Sequence, residues 1–276
     1  MTEWEREGAF DALERRGWAE AEVARSYATG FARAADMVAP VLAAGAGAGP
    51  GRHVIDLCSG HGNVAAAALA AGARVTGLDF SPAFLALARA RCPEAEFVEG
   101  NAMDLPFDDG SADGVTVGFG MPHVPDPARL LAEARRVLRP GGRLAFSVWV
   151  GPADRGALQL FFEALAAEGD PSVRLPPGPG AFDFASAEVA RPALEAAGFD
   201  GAAAETVASA FPVDDPAELV GILRDGTVRM GVLMKLQPPG RRRAVEAWIA
   251  DEARRRFGPG PCEVPVPSVV WTAGAA

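Results

Sequence analysis

The chain has 276 residues, a formal net charge of −10 and a basic complement that is almost all arginine, Lys235 being the sole lysine. Its longest basic runs, Arg241 to Arg243 and Arg254 to Arg256, fall in helical patterns and read as solvated faces, so a nucleic-acid enzyme, which relies on phosphate neutralisation, is not expected. Cys58, Cys92 and Cys262 are odd in number and far apart, which argues against a disulfide framework or a zinc ribbon and for a reduced, cytoplasmic setting. No metal site is expected, and no run of about 18 apolar residues marks a membrane span.

Met1 to Gly45 reads as amphipathic helices with Trp4, Phe10, Trp18, Tyr27, Phe31 and Met37 among the apolar positions. The opening stretch is acidic and amphipathic rather than basic and then apolar, so no secretory leader is expected there. Ala43 to Gly51 is a flexible Gly and Ala joint that would let a helical cap over 1–45 move as a lid. A core over 46–150 and a C-terminal part over 151–276 complete what is expected to be one compact domain.

The core opens with an apolar run from His53 that ends at Asp56 and breaks into Cys58, Ser59, Gly60, His61, Gly62 and Asn63. An alanine-rich helical pattern follows from Val64 to Ala71, giving a strand, a tight turn and a helix. Gly60 and Gly62 leave room for a ligand on the turn, and the helix that follows aims its amides at the same place, as a nucleotide-like cofactor requires. Ala73 to Phe80 is the next parallel strand, with Asp79 at its carboxyl end at the spacing where an acidic side chain takes ribose hydroxyls. Gly60, Gly62 and Ala65 also fit G-x-G-x-x-A, so to this point a nicotinamide dehydrogenase fits equally well.

Ser81 and Pro82 look like an N-cap and first-turn pair for a helix to about Cys92. Glu96 to Gly100 and Asp113 to Gly118 are the third and fourth strands, and Pro127 to Leu138 is a helix ended by Pro140, Gly141 and Gly142. A fifth strand ends at Trp149. Helices are expected over 156–168 and 187–197, the latter closed by Gly198, then a strand over 201–211, helices over 215–232 and 239–257, and a closing strand over 263–272.

Taken together, HVIDLCSGHGN at 53–63, GLDFS at 77–81, EGNAMDLPF at 99–107, the Arg-Pro-Gly-Gly at 139–142 and Trp149 resemble the class I S-adenosylmethionine-dependent methyltransferases. The resemblance is to the small-molecule branch that includes the ubiquinone and menaquinone C-methyltransferases and natural-product tailoring enzymes. It implies an α/β, Rossmann-like doubly wound sheet of seven strands in the order 3-2-1-4-5-7-6, the last antiparallel, with N-terminal helices and helical inserts as a cap. It also implies methyl transfer from S-adenosylmethionine, leaving S-adenosylhomocysteine, to an O, N or C atom of a small apolar metabolite, in secondary metabolism.

The cofactor residues implied by the resemblance are Asp56, Cys58, Gly60 and Gly62 on the first turn, Asp79 and Phe80 after the second strand, and Asn101, Ala102 and Met103 after the third. Gly118 and an aromatic from the N-terminal helices, Tyr27, join them. Cys58 stands where the family has a glycine, which a thiol tolerates if its φ stays negative, and nothing basic nearby activates it. Asn101 stands where Asp is common, and its amide accepts from the adenine amine. His61 is a spacer near the cofactor's carboxylate.

His123, in the loop beyond the fourth strand, is the candidate base, with Asp126 and Arg229 as weaker polar candidates. Phe119, Met121, Trp149, Met230, Met234 and Trp248 are candidates for an apolar acceptor pocket. Rival readings are a same-fold protein catalysing a cyclisation, a dehydrogenase, and a non-catalytic binding module. The oligomeric state is not readable from these residues.

Overall fold

The computed structural model describes residues 8–151 and 156–275; Trp4, expected among the apolar helical positions, lies outside the described residues. In chain order the first elements are α1 (Ala9–Ala19), α2 (Ala21–Ser26), a π-helical turn (Tyr27–Phe31), α3 (Ala32–Gly45), β1 (His53–Leu57), α4 (Asn63–Ala70), β2 (Arg74–Asp79), α5 (Pro82–Arg91), β3 (Glu96–Glu99) and β4 (Ala112–Gly118). A 3₁₀ turn (Met121–His123) leads to α6 (Pro127–Val137), β5 (Leu138–Trp149), α7 (Ala157–Glu168), α8 (Ala187–Ala196) and β6 (Phe199–Val207). Then come β7 (Ala210–Val213), α9 (Leu219–Asp225), α10 (Val228–Leu236), α11 (Pro239–Phe257), β8 (Cys262–Pro265) and β9 (Ser268–Ala275). These elements fall into two compact units, a sheet unit of residues 35–149, 179–207 and 268 onward, and a helical unit of the remaining segments.

In the sheet unit seven strands run in the order β3-β2-β1-β4-β5-β9-β6. All pairs up to β5 are parallel, and β9 is antiparallel to both β5 and β6. With β9 as the seventh strand of this sheet, the expected 3-2-1-4-5-7-6 order holds. Val54, Ile55, Leu57, Val115 and Val117 are fully buried, as a parallel sheet covered on both faces demands. Right-handed crossovers put α4 and α5 on one face and α6 on the other, because the strand order reverses between β1 and β4. The helix starts follow the local chemistry: Ser81 Oγ accepts from the Phe84 N–H ahead of Pro82, and Asp126 Oδ1 accepts from the Arg129 N–H ahead of Pro127.

The cap expected over 1–45 is divided differently. From Ala35 on, α3 belongs to the sheet unit, where Ala35, Val38, Ala39, Leu42 and the following Ala46 pack with Val64, Phe119, Ala145 and Val270. Alanines on this face bring the helix close to the sheet, which fixes residues 35–45 of the segment expected to move.

In the helical unit α11 packs on α7 and α9, and α1 on α10. Glu14 is 1% exposed and is held by the Trp18 Nε1–H at 2.8 Å and the Arg229 Nε–H at 2.6 Å. The helix expected over 215–232 is interrupted, because Thr227 takes an extended conformation between α9 and α10. The strands expected over 201–211 and 263–272 each split in two. β6 and β9 lie in the sheet, whereas β7 and β8 form their own antiparallel ribbon in the helical unit. Pro265 and Pro267 have no N–H for a continuous ladder, and Val266 between them pairs with Ser209 by its N–H (2.9 Å) and its carbonyl (2.7 Å).

The turn from β1 to α4 carries left-handed backbone at Cys58 (φ 53°), Gly60 (52°) and Gly62 (81°). Contrary to the negative φ expected of it, Cys58 takes a conformation that favours glycine. Its neighbours impose this: the Ser59 N–H bonds Leu78 O at 3.0 Å and the Gly60 N–H bonds Asp79 Oδ2 at 2.9 Å, fixing the following peptides. Such a conformation costs a non-glycine residue about 1 kcal/mol. The side chain is accommodated by Gly120, where an added Cβ would lie 2.7 Å from Cys58 Cβ and 2.8 Å from its Sγ. Gly120 itself has φ −78°, which alanine adopts freely. Gly120→Ala should therefore destabilise the protein by overpacking, about 1–3 kcal/mol in denaturant unfolding, and Cys58→Gly should restore most of that loss in the double variant. Losses that simply add would contradict the packing described.

Candidate active site

The chemistry-bearing residues of the sheet unit collect at the carboxyl ends of β1, β2 and β4, where the strand order reverses and open α/β sheets bind their ligands. Asp79 ends β2 and is 7% exposed. Its Oδ2 accepts from the Gly60 N–H and its Oδ1 from the Ser81 N–H, both at 2.9 Å. The amides orient the carboxylate without exhausting its lone pairs, so it remains an acceptor suited to a diol. Burial pushes its pKa up to about 6 against the pull of the Ser81, Gly60 and Phe80 amides. Phe80 follows directly and is half-buried.

Asp56, near the end of β1, is 1% exposed. Thr116 on β4 donates its hydroxyl to Oδ1 at 2.7 Å. Burial pushes this pKa up to about 7, opposed by the Thr116 hydroxyl and the Ala65 N–H and aided by the charge of Asp79. Among the described residues, Asp56 Oδ2 and Ser59 Oγ are buried without a well-formed hydrogen bond. A Cβ placed on Gly60 would meet nothing nearer than 3.8 Å, so the turn stands open beside these groups. A ligand rich in hydroxyl or ammonium donors fits this set. The Cys58 thiol is pushed well above its usual range by burial and by Asp79 and Asp56, so it stays protonated and is no nucleophile.

After β3, Asn101 turns its amide oxygen onto the Met103 N–H at 3.0 Å, which makes it first a turn former and leaves one lone pair for an adenine amine. Ala102 is buried and Met103 half-buried. Sequence reasoning missed what holds this segment. Arg129 of α6 donates to Met103 O at 2.7 Å, Glu133 accepts from the Leu105 N–H at 2.7 Å, and Arg136 donates to Leu105 O at 3.0 Å and Phe107 O at 2.8 Å. Their spacing along one helix was visible; their targets, some 28 residues away, were not.

Gly118 ends β4, and Phe119 follows with φ 58° and its N–H on Ser147 Oγ at 3.1 Å. Phe119 stacks on Trp149 with centroids 3.9 Å apart, inside the cluster that seats α3, so both serve first as packing beneath the loop that follows β4. Met121 is fully buried, and His123, half-buried, closes the 3₁₀ turn. Asp126 serves as the α6 cap. Tyr27, Arg229, Met230, Met234 and Trp248 belong to the helical unit. There Tyr27 lies edge-on to Trp18 at 5.8 Å and stacks on Phe31 at 6.0 Å, and Arg229 is committed to Glu14 and to the Phe10 ring face at 4.7 Å. No helix among the described residues is long and apolar enough to cross a membrane.

A family model described as a methyltransferase domain matches residues 55–146. A demethylmenaquinone methyltransferase of Clavibacter sepedonicus is 42% identical over 122 residues, 42% of this chain and 50% of that protein. One of Listeria welshimeri is 45% identical over 119 residues, 40% of this chain and 50% of its own length. The chain thus spans about half the length of the curated relatives it matches. Among solved structures, the YcgJ protein of Bacillus subtilis superposes with a TM-score of 0.56 at 20% identity over 86% of this chain and 97% of that one, a likeness of fold. The segment matched by the methyltransferase domain model, residues 55–146, runs from β1 to β5 and contains the Asp56, Gly60, Gly62 and Asp79 constellation.

Proposed function

We infer that the chain is a cytoplasmic S-adenosylmethionine-dependent methyltransferase acting on an O, N or C atom of a small apolar metabolite, without nucleic acid as a substrate. The observation that carries this reading is the Asp79 carboxylate, oriented by the Gly60 and Ser81 amides at the mouth of an open glycine turn. Asp79 is assigned the ribose hydroxyls, Gly60 and Gly62 the backbone approach, and Asn101 to Met103 the adenine. The buried Asp56 oxygen and Ser59 hydroxyl supply further polar partners at the β1 end. The demethylmenaquinone relatives support an apolar acceptor as the first class to screen.

The cofactor supplies an electrophilic methyl group, so the protein's work is to bind, orient and exclude water. The acidic switch-point residues hold one partner, and the loop Phe119 to Pro127 beyond β4 faces the other. For a hydroxyl acceptor, His123 on that loop removes the proton at the ring nitrogen that faces the acceptor.

Calorimetric titration with S-adenosylhomocysteine should show binding that Asp79→Ala abolishes, with no binding of NADH; preference for NADH would overturn the reading. With an oxygen acceptor, His123→Ala should lower kcat about 10²–10⁴-fold and leave the S-adenosylhomocysteine Kd unchanged. An unaltered kcat would remove His123 from the chemistry.

The pH dependences should run in opposite directions. The folded, ligand-free protein holds the Asp79 and Asp56 protons up to about pH 6 and about pH 7, against 3.8 for an ordinary aspartate, so their contribution to stability is full below about pH 4 and is lost as pH rises to about 7. Ribose hydroxyls need the ionised Asp79, so affinity is lost as pH falls through about 6. Thermal melts between pH 5 and 8 should show a ligand-induced rise in Tm that grows with pH; a rise independent of pH would contradict the assignment of Asp79.

A further inference from the structure

Besides the bonds to Leu78 and Asp79, the turn between β1 and α4 has a further anchor through its middle side chain. His61 sits between Gly60 and Gly62, both left-handed, so nothing local restricts where its side chain goes. Yet the side chain is buried, at 6% exposure, and its Nε2 lies 3.2 Å from Asp36 Oδ1. With a carboxylate as the partner, Nε2 carries the proton and donates. Asp36 is on α3, next to Ala35 and one turn from Ala39, residues that seat this helix on the sheet. Its carboxylate is itself gripped by Arg91 at the end of α5, through Nη2 to Oδ2 at 3.0 Å and Nη1 to Oδ1 at 3.5 Å. Burial works to raise the Asp36 pKa, but the bonds from His61 and Arg91 outweigh it and hold the carboxyl below the usual range, so the acceptor stays ionised.

We propose that Asp36 is a positioning residue for the cofactor turn, acting through His61 to hold the Gly60 amide in register with Asp79. Three elements meet at this carboxylate: α3, fixed by its apolar face; α5, through Arg91; and the turn, through His61. A Gly-X-Gly turn held only through its Ser59, Gly60 and Gly62 amides samples more backbone states than one also tied through its middle side chain, and ordering it on binding reduces affinity. The anchor removes that cost beforehand by tying the turn to a helix that the sheet already immobilises. Arg91 contributes less, because it and Asp36 are both more than a third exposed and the pair is screened by solvent.

This inference rests on the proposed cofactor reading, and the experiment separates the two. The Kd of S-adenosylhomocysteine is measured for the wild type first; absence of binding overturns the proposed function and with it any role of Asp36 in binding. Given binding, Asp36→Ala and His61→Ala should each raise Kd about tenfold, and the double variant should be no worse than either alone. Asp36→Asn keeps an acceptor for His61 and should recover Kd to within about threefold of wild type, while Arg91→Ala should change it by less than about twofold. Hydrogen exchange at the amides of 59–63 should quicken in Asp36→Ala even without ligand, with the amides of β1 unaltered. An Asp36→Ala variant that binds as tightly as wild type, or single-variant effects that multiply in the double variant, would overturn the proposal.

Discussion

The sheet unit's site depends on one buried carboxylate, Asp79, and the amides that hold it, those of Gly60 and Ser81 foremost. A negative charge at the end of β2, 7% exposed, is unfavourable unless donors surround it. The Gly60 N–H reaches it only if the preceding turn is left-handed at Cys58 and Gly60, and the Ser81 N–H reaches it only if α5 starts where its Ser81 and Pro82 cap places it. One interaction thus ties β1, the turn, β2 and α5 together. The same atoms that shape the fold at this point are the ones proposed to accept from a ligand diol.

The sheet end of β1 and β2 carries opposing electrostatic effects. Asp56 and Asp79 lie near enough for the charge of Asp79 to raise the Asp56 pKa, and burial raises both. Cys58 and Phe119, the non-glycine residues with left-handed φ among those described, flank the same sheet edge at the ends of β1 and β4. Strain of this sort persists where surrounding structure fixes it, and here the fixing groups are named: Leu78 and Asp79 for the first turn, Ser147 for the second. Hydrogen-bond donors placed beside these carboxylates would favour their ionised forms.

Much of this was legible in the sequence because it is local chemistry. The apolar run into Asp56, the glycines of the turn, the Ser81-Pro82 cap and the position of Asp79 after β2 each follow from residues a few places apart. The left-handed Cys58 was not legible, since its cost is smaller than the pull of Asp79 and Leu78, groups about twenty residues further on. Nor was the grip of Arg129, Glu133 and Arg136 on Met103 to Phe107, because a helix pattern shows which face is polar and not what that face touches. The β7–β8 ribbon escaped for a related reason: 201–211 and 263–272 each read as one extended run, and the division lies in how Ser209 and Val266 pair. The packing of α3 on the sheet was not legible either, because its contact face is built of small residues such as Ala35 and Ala39, which mark no strong apolar pattern.

The most direct test of the account is a crystal structure of the protein with S-adenosylhomocysteine. The account predicts the ribose hydroxyls within about 2.6–3.2 Å of both Asp79 carboxylate oxygens, over the open side of Gly60, with the adenine beside Asn101 to Met103. A ligand bound away from the β1, β2 and β4 ends, or a ribose that leaves Asp79 untouched, would contradict it.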